Sequence, residues 1–198
     1  MDPRPGIVTA ASPGWPQSLE ALLPGAFVVV LANDPWEAVA GRLAGFQLRD
    51  TLAILGPEDV RMALLFRLPT DHKVTEALLE HGTAVLDIDS TRIRWRNESE
   101  RLAALPGSMP KANRSVGTFE TRDRRMERPE DFQNPLGRWP TNLVIVHGPE
   151  CLKQEAWVCG PECYARTLDA QSGYYPEFAD EPELLAWLRA LVRSPSVV

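Results

Sequence analysis

Continuous apolar segments alternate with short turns through the first third of the chain and predict strands. Ala26–Ala32 is apolar throughout, which is typical of a strand buried on both faces of a sheet. Gly6–Ala10, Gln47–Leu55 and Met62–Arg67 are further strand segments, each followed within three residues by proline. The short connection between the last two favours an antiparallel hairpin. The β-α-β-β order as a whole predicts a largely parallel sheet covered by helices.

The later pattern contains fewer strands. Leu143–Val146 predicts one more strand, and Thr83–Trp95 predicts an extended segment. Helices are predicted at Ser18–Leu23, Pro35–Ala44, Thr75–His81 and Pro182–Val192. The second of these has Asp34 as its N-cap and Gly45 at its end. The last has an apolar face that includes Leu184, Leu188 and Leu191.

The bulk composition is that of an ordinary globular chain. It has 198 residues, of which 44% are hydrophobic and 24% charged, and 18 are proline, which predicts many loops. No apolar run reaches transmembrane length, and no hydrophobic segment of a signal peptide follows the first residues. We therefore expect a cytoplasmic protein without membrane contact, in a reducing compartment that suits free thiols.

All three cysteines lie in one short stretch with a histidine. His147 and Cys151 are four residues apart, as are Cys159 and Cys163, and glycine and proline lie inside both pairs. Thiolates and imidazole are the ligands that Zn²⁺ prefers, and four of them complete a tetrahedron. The alternative is a disulfide with one free thiol, but three cysteines cannot all pair. The spacing favours zinc.

The charge is unevenly distributed. The chain carries a net charge of −6, which argues against a protein that coats nucleic acid generally. Residues 91–128 contain ten Lys and Arg against five Asp and Glu, a local charge of +5 that leaves −11 for the remainder. Such a segment either contacts a polyanion or is a solvated loop. The candidate phosphate-binding residues are Arg92, Arg94, Arg96, Arg122, Arg124, Arg125 and, further on, Arg138, which could instead anchor its loop.

Several segments resemble, in the same order, those of phage and prophage site-specific DNA amino-methyltransferases, which modify adenine N6 or cytosine N4. The most specific is GRWPTNLV, at Gly137–Val144. The others are GFQLRDTL at Gly45–Leu52, ALLFRLP at Ala63–Pro69, HGTAVLDID at His81–Asp89, the cysteine stretch, and LDAQSG at Leu168–Gly173. The resemblance implies a Rossmann-like methyltransferase sheet and places the cysteine stretch in a target-recognition region.

The catalytic motifs of that family are degenerate or missing here. The DPPY tetrapeptide, which polarises the amine and stacks on the flipped base, has Ser12, Pro13, Gly14 and Trp15 as its nearest counterpart, so the acid is absent. A second candidate, Asp34-Pro35-Trp36, is out of the family order. No glycine-rich loop for S-adenosylmethionine is found, and the chain stops where that strand would begin. We therefore expect neither binding of S-adenosylmethionine nor methyl transfer.

These observations predict an α/β protein with a partial Rossmann-like methyltransferase sheet and a zinc-stapled insertion. The expected division is a core at 1–80, a target-recognition-like insertion at 81–175 and a C-terminal helical segment at 176–198 that packs on the core. We expect an inactive methyltransferase-like protein that acts as a DNA-binding or regulatory module in the bacterial host cell of a phage or prophage. The alternatives are an interaction protein and an active methyltransferase completed by a partner chain. Missing strands would leave an open sheet edge and uncover Leu184, Leu188 and Leu191, which predicts a homo-oligomer or a protein partner.

Overall fold

The computed structural model describes residues 4–12, 14–19, 22–95, 97–103, 137, 142–154, 157–169 and 175–193. By its internal contacts the chain divides into two units. The first comprises Met1–Thr91 and Pro140–Val198, and the second comprises Arg92–Trp139. The first unit contains the sheet described next.

The strands are β1 Arg4–Ala10, β2 Leu22–Ala32, β3 Gln47–Leu55, β4 Val60–Arg67, β5 Leu143–Val146, β6 Leu152–Lys153, β7 Trp157–Val158 and β8 Glu177–Phe178. Six of them form one mixed sheet in the order β1-β2-β4-β3-β5-β8, and the two short strands β6 and β7 form a separate antiparallel ribbon.

One strand of the six-stranded sheet runs against the others. β4 is antiparallel to both of its neighbours, β2 and β3, whereas β1 with β2, β3 with β5 and β5 with β8 are parallel pairs. The predicted hairpin is confirmed, and its turn is closed by the Gly56 N–H, which donates to the Asp59 carbonyl at 2.9 Å. Because five strands share a direction, their carboxyl ends meet at one edge of the sheet.

In the first unit the helices are α1 Trp36–Leu43, α2 Val74–His81, α4 Tyr164–Asp169 and α5 Glu181–Leu191, with 3-10 turns at Trp15–Ser18 and Asp89–Thr91. The second unit contains α3 Glu98–Ala103. None of the helices in the described parts of the chain combines the length and the apolar character needed to cross a bilayer.

Strand β2 is buried on both faces, as the sequence predicts. Val28 and Val29 are adjacent, point to opposite faces and are both fully buried. Val29 belongs to a core layer with Ile54, Leu65, Leu184 and Leu188. The layer on the other face consists of Val28, Val30, Ala32, Leu64 and the aromatic side chains of Trp15, Phe46 and Phe66.

Close packing between α1 and the sheet depends on a glycine. A Cβ built on Gly41 would lie 2.5 Å from the Phe66 ring, so any larger residue would force the helix away from β4. The Asp34 side chain accepts a hydrogen bond from the Trp36 N–H at 2.9 Å at the start of this helix. The helix itself matches the predicted segment to within one residue at each end.

Two of the predicted secondary-structure elements are wrong. Ser18–Leu23 is not a helix: a 3-10 turn, with Pro16 in its first turn, ends at Ser18, and Leu22 already pairs with Arg4 of β1. Thr83–Trp95 is not extended. The Asp87 side chain accepts from the Ser90 N–H at 3.1 Å and stabilises a turn that the apolar pattern does not signal.

In the second unit, Gly137 lies against Ile93. Its φ of 136° lies in the region that favours glycine, and a Cβ there would be 2.3 Å from the Ile93 carbonyl oxygen. α3 carries an ion pair between Glu98 and Arg101, three residues apart on the helix.

The expectation that Leu184, Leu188 and Leu191 lose their cover is wrong, because all three are buried. α5 packs against β1, and Leu184 and Leu188 join the core layer that contains Val29. At the end of α5, a Cβ on Gly6 would lie 2.4 Å from the Val192 carbonyl oxygen, so helix and strand are in direct contact.

We therefore expect Leu188→Ala to lower the free energy of unfolding by about 2–5 kcal/mol, because it removes a fully buried side chain from the core. The matched control is Leu79→Ala on α2, whose leucine is 74% exposed and whose loss changes stability by less than about 0.5 kcal/mol. Urea unfolding of both variants measures the difference. Equal stability of the two variants would contradict the packing of α5.

Candidate metal centre

The cysteine stretch begins where β5 ends, at the carboxyl edge of the sheet. His147 directly follows Val146, and its backbone N–H donates to the Phe178 carbonyl at 2.8 Å, which extends the pairing of β5 with β8. Two tight turns bring the cysteines back: the Cys151 N–H donates to the Gly148 carbonyl at 3.0 Å, and the Cys163 N–H to the Gly160 carbonyl at 3.2 Å. Glycine and proline therefore serve the turns that the spacing predicts.

Four donor atoms converge there. One atom each from His147, Cys151, Cys159 and Cys163 lies within 4.8 Å of the others. His147 Nδ1 is 3.5 Å from the Sγ atoms of both Cys159 and Cys163. Bond lengths of about 2.3 Å to sulfur and 2.0–2.1 Å to nitrogen give a tetrahedral N···S edge of about 3.6 Å. The spacing therefore suits a metal such as zinc.

The disulfide alternative is not realised, since all three cysteines are free thiols. His147 and Cys163 are buried, and Cys151 and Cys159 are half-buried. Ile145, Ala165 and Leu168 pack around the sulfur atoms. Four protein donors fill a tetrahedron, so an ion held here would have no open coordination position, as is typical of a structural site.

A stack of side chains supports the imidazole. The rings of His147 and Trp157 are parallel to within 15°, with centroids 3.7 Å apart. Lys153 Nζ lies 5.5 Å from the Trp157 ring centroid and 3.2 Å from Glu183 Oε1 on α5. Stacking fixes the plane of the histidine ring, which keeps Nδ1 directed at the thiols. Spacing alone does not reveal this contribution from Trp157 and Lys153.

The surroundings of the three thiols shift their pKa values in different directions. Burial raises the pKa of Cys159 to about 12, and burial also raises the pKa of Cys163. For Cys151, burial opposes ionisation, but hydrogen bonds from the backbone of Gly160 and from Cys163 outweigh it and lower the pKa. Because metal ligands must be thiolates, metal uptake at neutral pH has to release the proton of Cys159.

The nearest counterpart of the catalytic tetrapeptide follows β1, and its aromatic residue is buried. Trp15 is only 1% exposed and packs against Phe46 and Phe66 at centroid distances of 5.8 and 5.5 Å. Its Nε1 donates to Glu37 Oε2 at 2.8 Å. Ser12 and Gly14 are exposed and line, with Trp15, a cleft of about 420 Å³, and Pro13 lies outside the described residues. The Trp15 ring therefore belongs to the core layer that it shares with Phe46 and Phe66.

The arginines of the charged segment are described only in part. Arg92 is half-buried and its Nη1 donates to the Gly137 carbonyl at 3.4 Å, within the second unit. Arg94 is exposed. Arg96, Arg122, Arg124, Arg125 and Arg138 lie outside the described residues.

The carboxyl edge of the sheet near β1 and β2 is acidic, which the sequence alone did not reveal. A cleft of about 350 Å³ there is lined by Asp34, Glu37, Asp59 and Glu181. Arg61 is the cation among its lining residues and is already engaged, with Nε 3.1 Å from Asp59 and Nη1 2.9 Å from Glu181. In open α/β sheets this edge is where ligands bind, and its charge here disfavours a phosphate.

Comparison with known proteins adds no relative. No protein-family model matches the chain, and no curated protein or solved structure matches it either.

We expect the purified protein to bind one Zn²⁺ per chain. The Cys159→Ser variant should lose most of this bound metal, because it removes a thiolate from a four-donor set. Elemental analysis measures the ion per chain. Chelation should increase amide exchange in residues 143–169, since binding and local folding are coupled in such sites.

The matched control is Gln154→Ala, at an exposed position directly after β6 in the same stretch. It should keep its full metal content. Wild-type protein without metal after growth in zinc-containing medium, or equal metal in both variants, would contradict the assignment.

Proposed function

We propose that this chain is a non-catalytic relative of phage and prophage DNA amino-methyltransferases that acts as a DNA-binding or regulatory module. The observation that carries the loss of catalysis is the burial of Trp15 at the end of β1. The residue that should face a flipped base belongs instead to the hydrophobic core.

The sheet supports a Rossmann-like origin. Five of its six strands are parallel, and helices α1 and α5 pack against it. The reversed strand, β4, forms a hairpin with β3 and lies between β2 and β3. The segments that resemble the family, GFQLRDTL and ALLFRLP, fall on this hairpin.

The lost chemistry follows from the residues present. Ser12 cannot replace the acidic residue that polarises an exocyclic amine, and no glycine-rich cradle for the methyl donor is found among the 198 residues. Methyl transfer requires donor and acceptor to be held in a reactive geometry, which neither feature provides. We therefore propose that S-adenosylmethionine is not a cofactor of this chain.

Zinc is proposed as a structural ion. His147, Cys151, Cys159 and Cys163 would hold it, joining the end of β5 to β7 and to the start of α4. β6 and β7 have only two residues each, so their own pairing adds little to the stability of this stretch. The ion would act as the staple of a target-recognition-like insertion.

DNA contact is proposed for the arginine-rich segment rather than for the sheet edge. The edge carries Asp34, Asp59 and Glu181, which repel phosphates, whereas residues 91–128 carry a local charge of +5. Such contacts bind the phosphate backbone and are salt-dependent without being sequence-specific.

We expect the chain to bind double-stranded DNA with an affinity that falls steeply as the salt concentration rises. The double variant Arg122→Gln/Arg124→Gln should make the slope of log K, the binding constant, against log salt concentration shallower by about two. Fluorescence anisotropy at several salt concentrations measures the slope. The charge-matched control is Arg42→Gln/Arg189→Gln, at exposed positions outside the segment.

A DNA affinity that does not depend on salt concentration, or equal salt-dependence slopes for the two double variants, would count against the DNA-binding proposal. Calorimetry with S-adenosylmethionine and transfer of a labelled methyl group to DNA test the loss of catalysis separately. One-to-one cofactor binding would favour the active enzyme, alone or completed by a partner.

A second candidate function is that of an interaction protein. Among the described residues, β1 pairs only with β2 and so leaves one edge open. On α1, Trp36 is 72% and Leu43 84% exposed, and Val39 lies on the same face. Apolar side chains in such a row are typical of a surface that another chain covers.

If this second function holds, the chain should form an oligomer at micromolar concentration, and Trp36→Ser/Leu43→Ser should dissociate it. The control is Leu79→Ser, a comparably exposed leucine on α2. Sedimentation velocity measures the association. A monomeric wild-type chain would argue against self-association.

A further inference from the structure

A second group of metal-ligating side chains lies at the end of α2, apart from the cysteine centre. His72 Nδ1 is 3.8 Å from Glu80 Oε2, and His81 Nε2 is 3.9 Å from the same oxygen. The two imidazole rings face each other edge to face with centroids 5.5 Å apart. One donor atom from each residue lies within 4.8 Å of the other two.

The backbone on both sides of this group is fixed. Before α2, the His72 N–H donates to Thr70 Oγ1 at 3.2 Å, and the Lys73 N–H donates to Glu76 Oε2 at 3.0 Å. After α2, Gly82 adopts a left-handed conformation and its N–H donates to the Leu78 carbonyl at 2.9 Å. Only side-chain rotation is therefore needed to bring the three donors closer.

We propose that His72, Glu80 and His81 form an open site for an exchangeable divalent transition-metal ion. With metal–ligand bonds of 2.0–2.2 Å, neighbouring donors in a tetrahedral site are separated by about 3.3–3.6 Å. The N···O distances exceed this by a few tenths of an ångström, and rotation of the exposed His72 and Glu80 side chains towards the half-buried His81 can close that gap. Three protein donors leave the remaining coordination positions to water or to an external ligand.

The donor set determines which ions fit. Two imidazole nitrogens and one carboxylate oxygen suit Zn²⁺, Ni²⁺ and Cu²⁺, whereas Ca²⁺ and Mg²⁺ prefer oxygen ligands. The cysteine centre differs in donor set and in exposure, because it offers three sulfur ligands and because His147 and Cys163 are buried. The two sites therefore differ in metal preference and in exchange rate, and Ni²⁺ should enter the exposed site while zinc stays in the cysteine centre.

This site has no signal in the sequence. His72 precedes Glu80 by eight residues, a separation that does not correspond to a helical ligand pair, and sequence alone favours a loop or helix-end position for both histidines. His72 precedes α2 whereas Glu80 and His81 end it, and the three side chains still meet. The chain contains three histidines, and His147 belongs to the cysteine centre, so His72 and His81 are its remaining imidazoles.

The test uses the full chain without an affinity tag, with zinc already in the cysteine centre. Calorimetric titration with Ni²⁺ should show one additional ion per chain. His72→Asn/His81→Asn should weaken that binding by at least about tenfold, since it removes two of three ligands. Glu80→Gln should weaken it as well, while Glu58→Gln, an exposed acid on the β3–β4 turn, should leave it unchanged.

A second readout follows the imidazoles directly. Added Zn²⁺ should shift the nitrogen resonances of two histidines and leave the third in place. The proposal is overturned if zinc-loaded protein takes up no Ni²⁺, if the double variant binds it as tightly as wild type, or if the histidine resonances do not move. Zinc content and circular dichroism verify that each variant is folded, and Glu80→Gln provides a test at an exposed position if the double variant is not.

Discussion

The burial of β2 on both faces is the constraint on which the rest of the first unit depends. Val28, Val29 and Val30 are fully buried, so two separate layers must cover the strand. Trp15, Phe46 and Phe66 provide one layer, and α5 provides the other. The second layer is not formed from neighbouring sequence, since α5 follows β2 by about 150 residues. The strand therefore acquires its full stability only when the distant helix is in place.

The same constraint explains why Trp15 is buried. The aromatic layer above Val28 and Val30 requires a large side chain just beyond β1, and Trp15 fills that position. Glu37 accepts the indole hydrogen bond, so the polar edge of the ring has a protein partner. The proposed loss of catalysis therefore rests on a contact that the packing of β2 itself requires.

Local sequence predicted the elements well and their assembly poorly. The apolar run at Ala26–Ala32, the helix after Asp34 and the hairpin at Gly56 each carry their own signal, and all three are present. The strand order was not predictable, because pairing of β3 with β5 joins residues about 90 apart. The cover of Leu188 was missed for the same reason: it depends on a long-range contact that no spacing reveals.

The metal centre shows the same division between local and distant information. Both ligand pairs carry turn residues, so convergence of His147 with Cys163 could be predicted from spacing. The Trp157 stack and its link through Lys153 to Glu183 could not, since Glu183 lies on α5. The Ala179 N–H lowers the pKa of Glu183, with the Lys153 ammonium contributing, which keeps that carboxylate ionised. The candidate metal centre is therefore linked through Trp157, Lys153 and Glu183 to the same helix that covers β2.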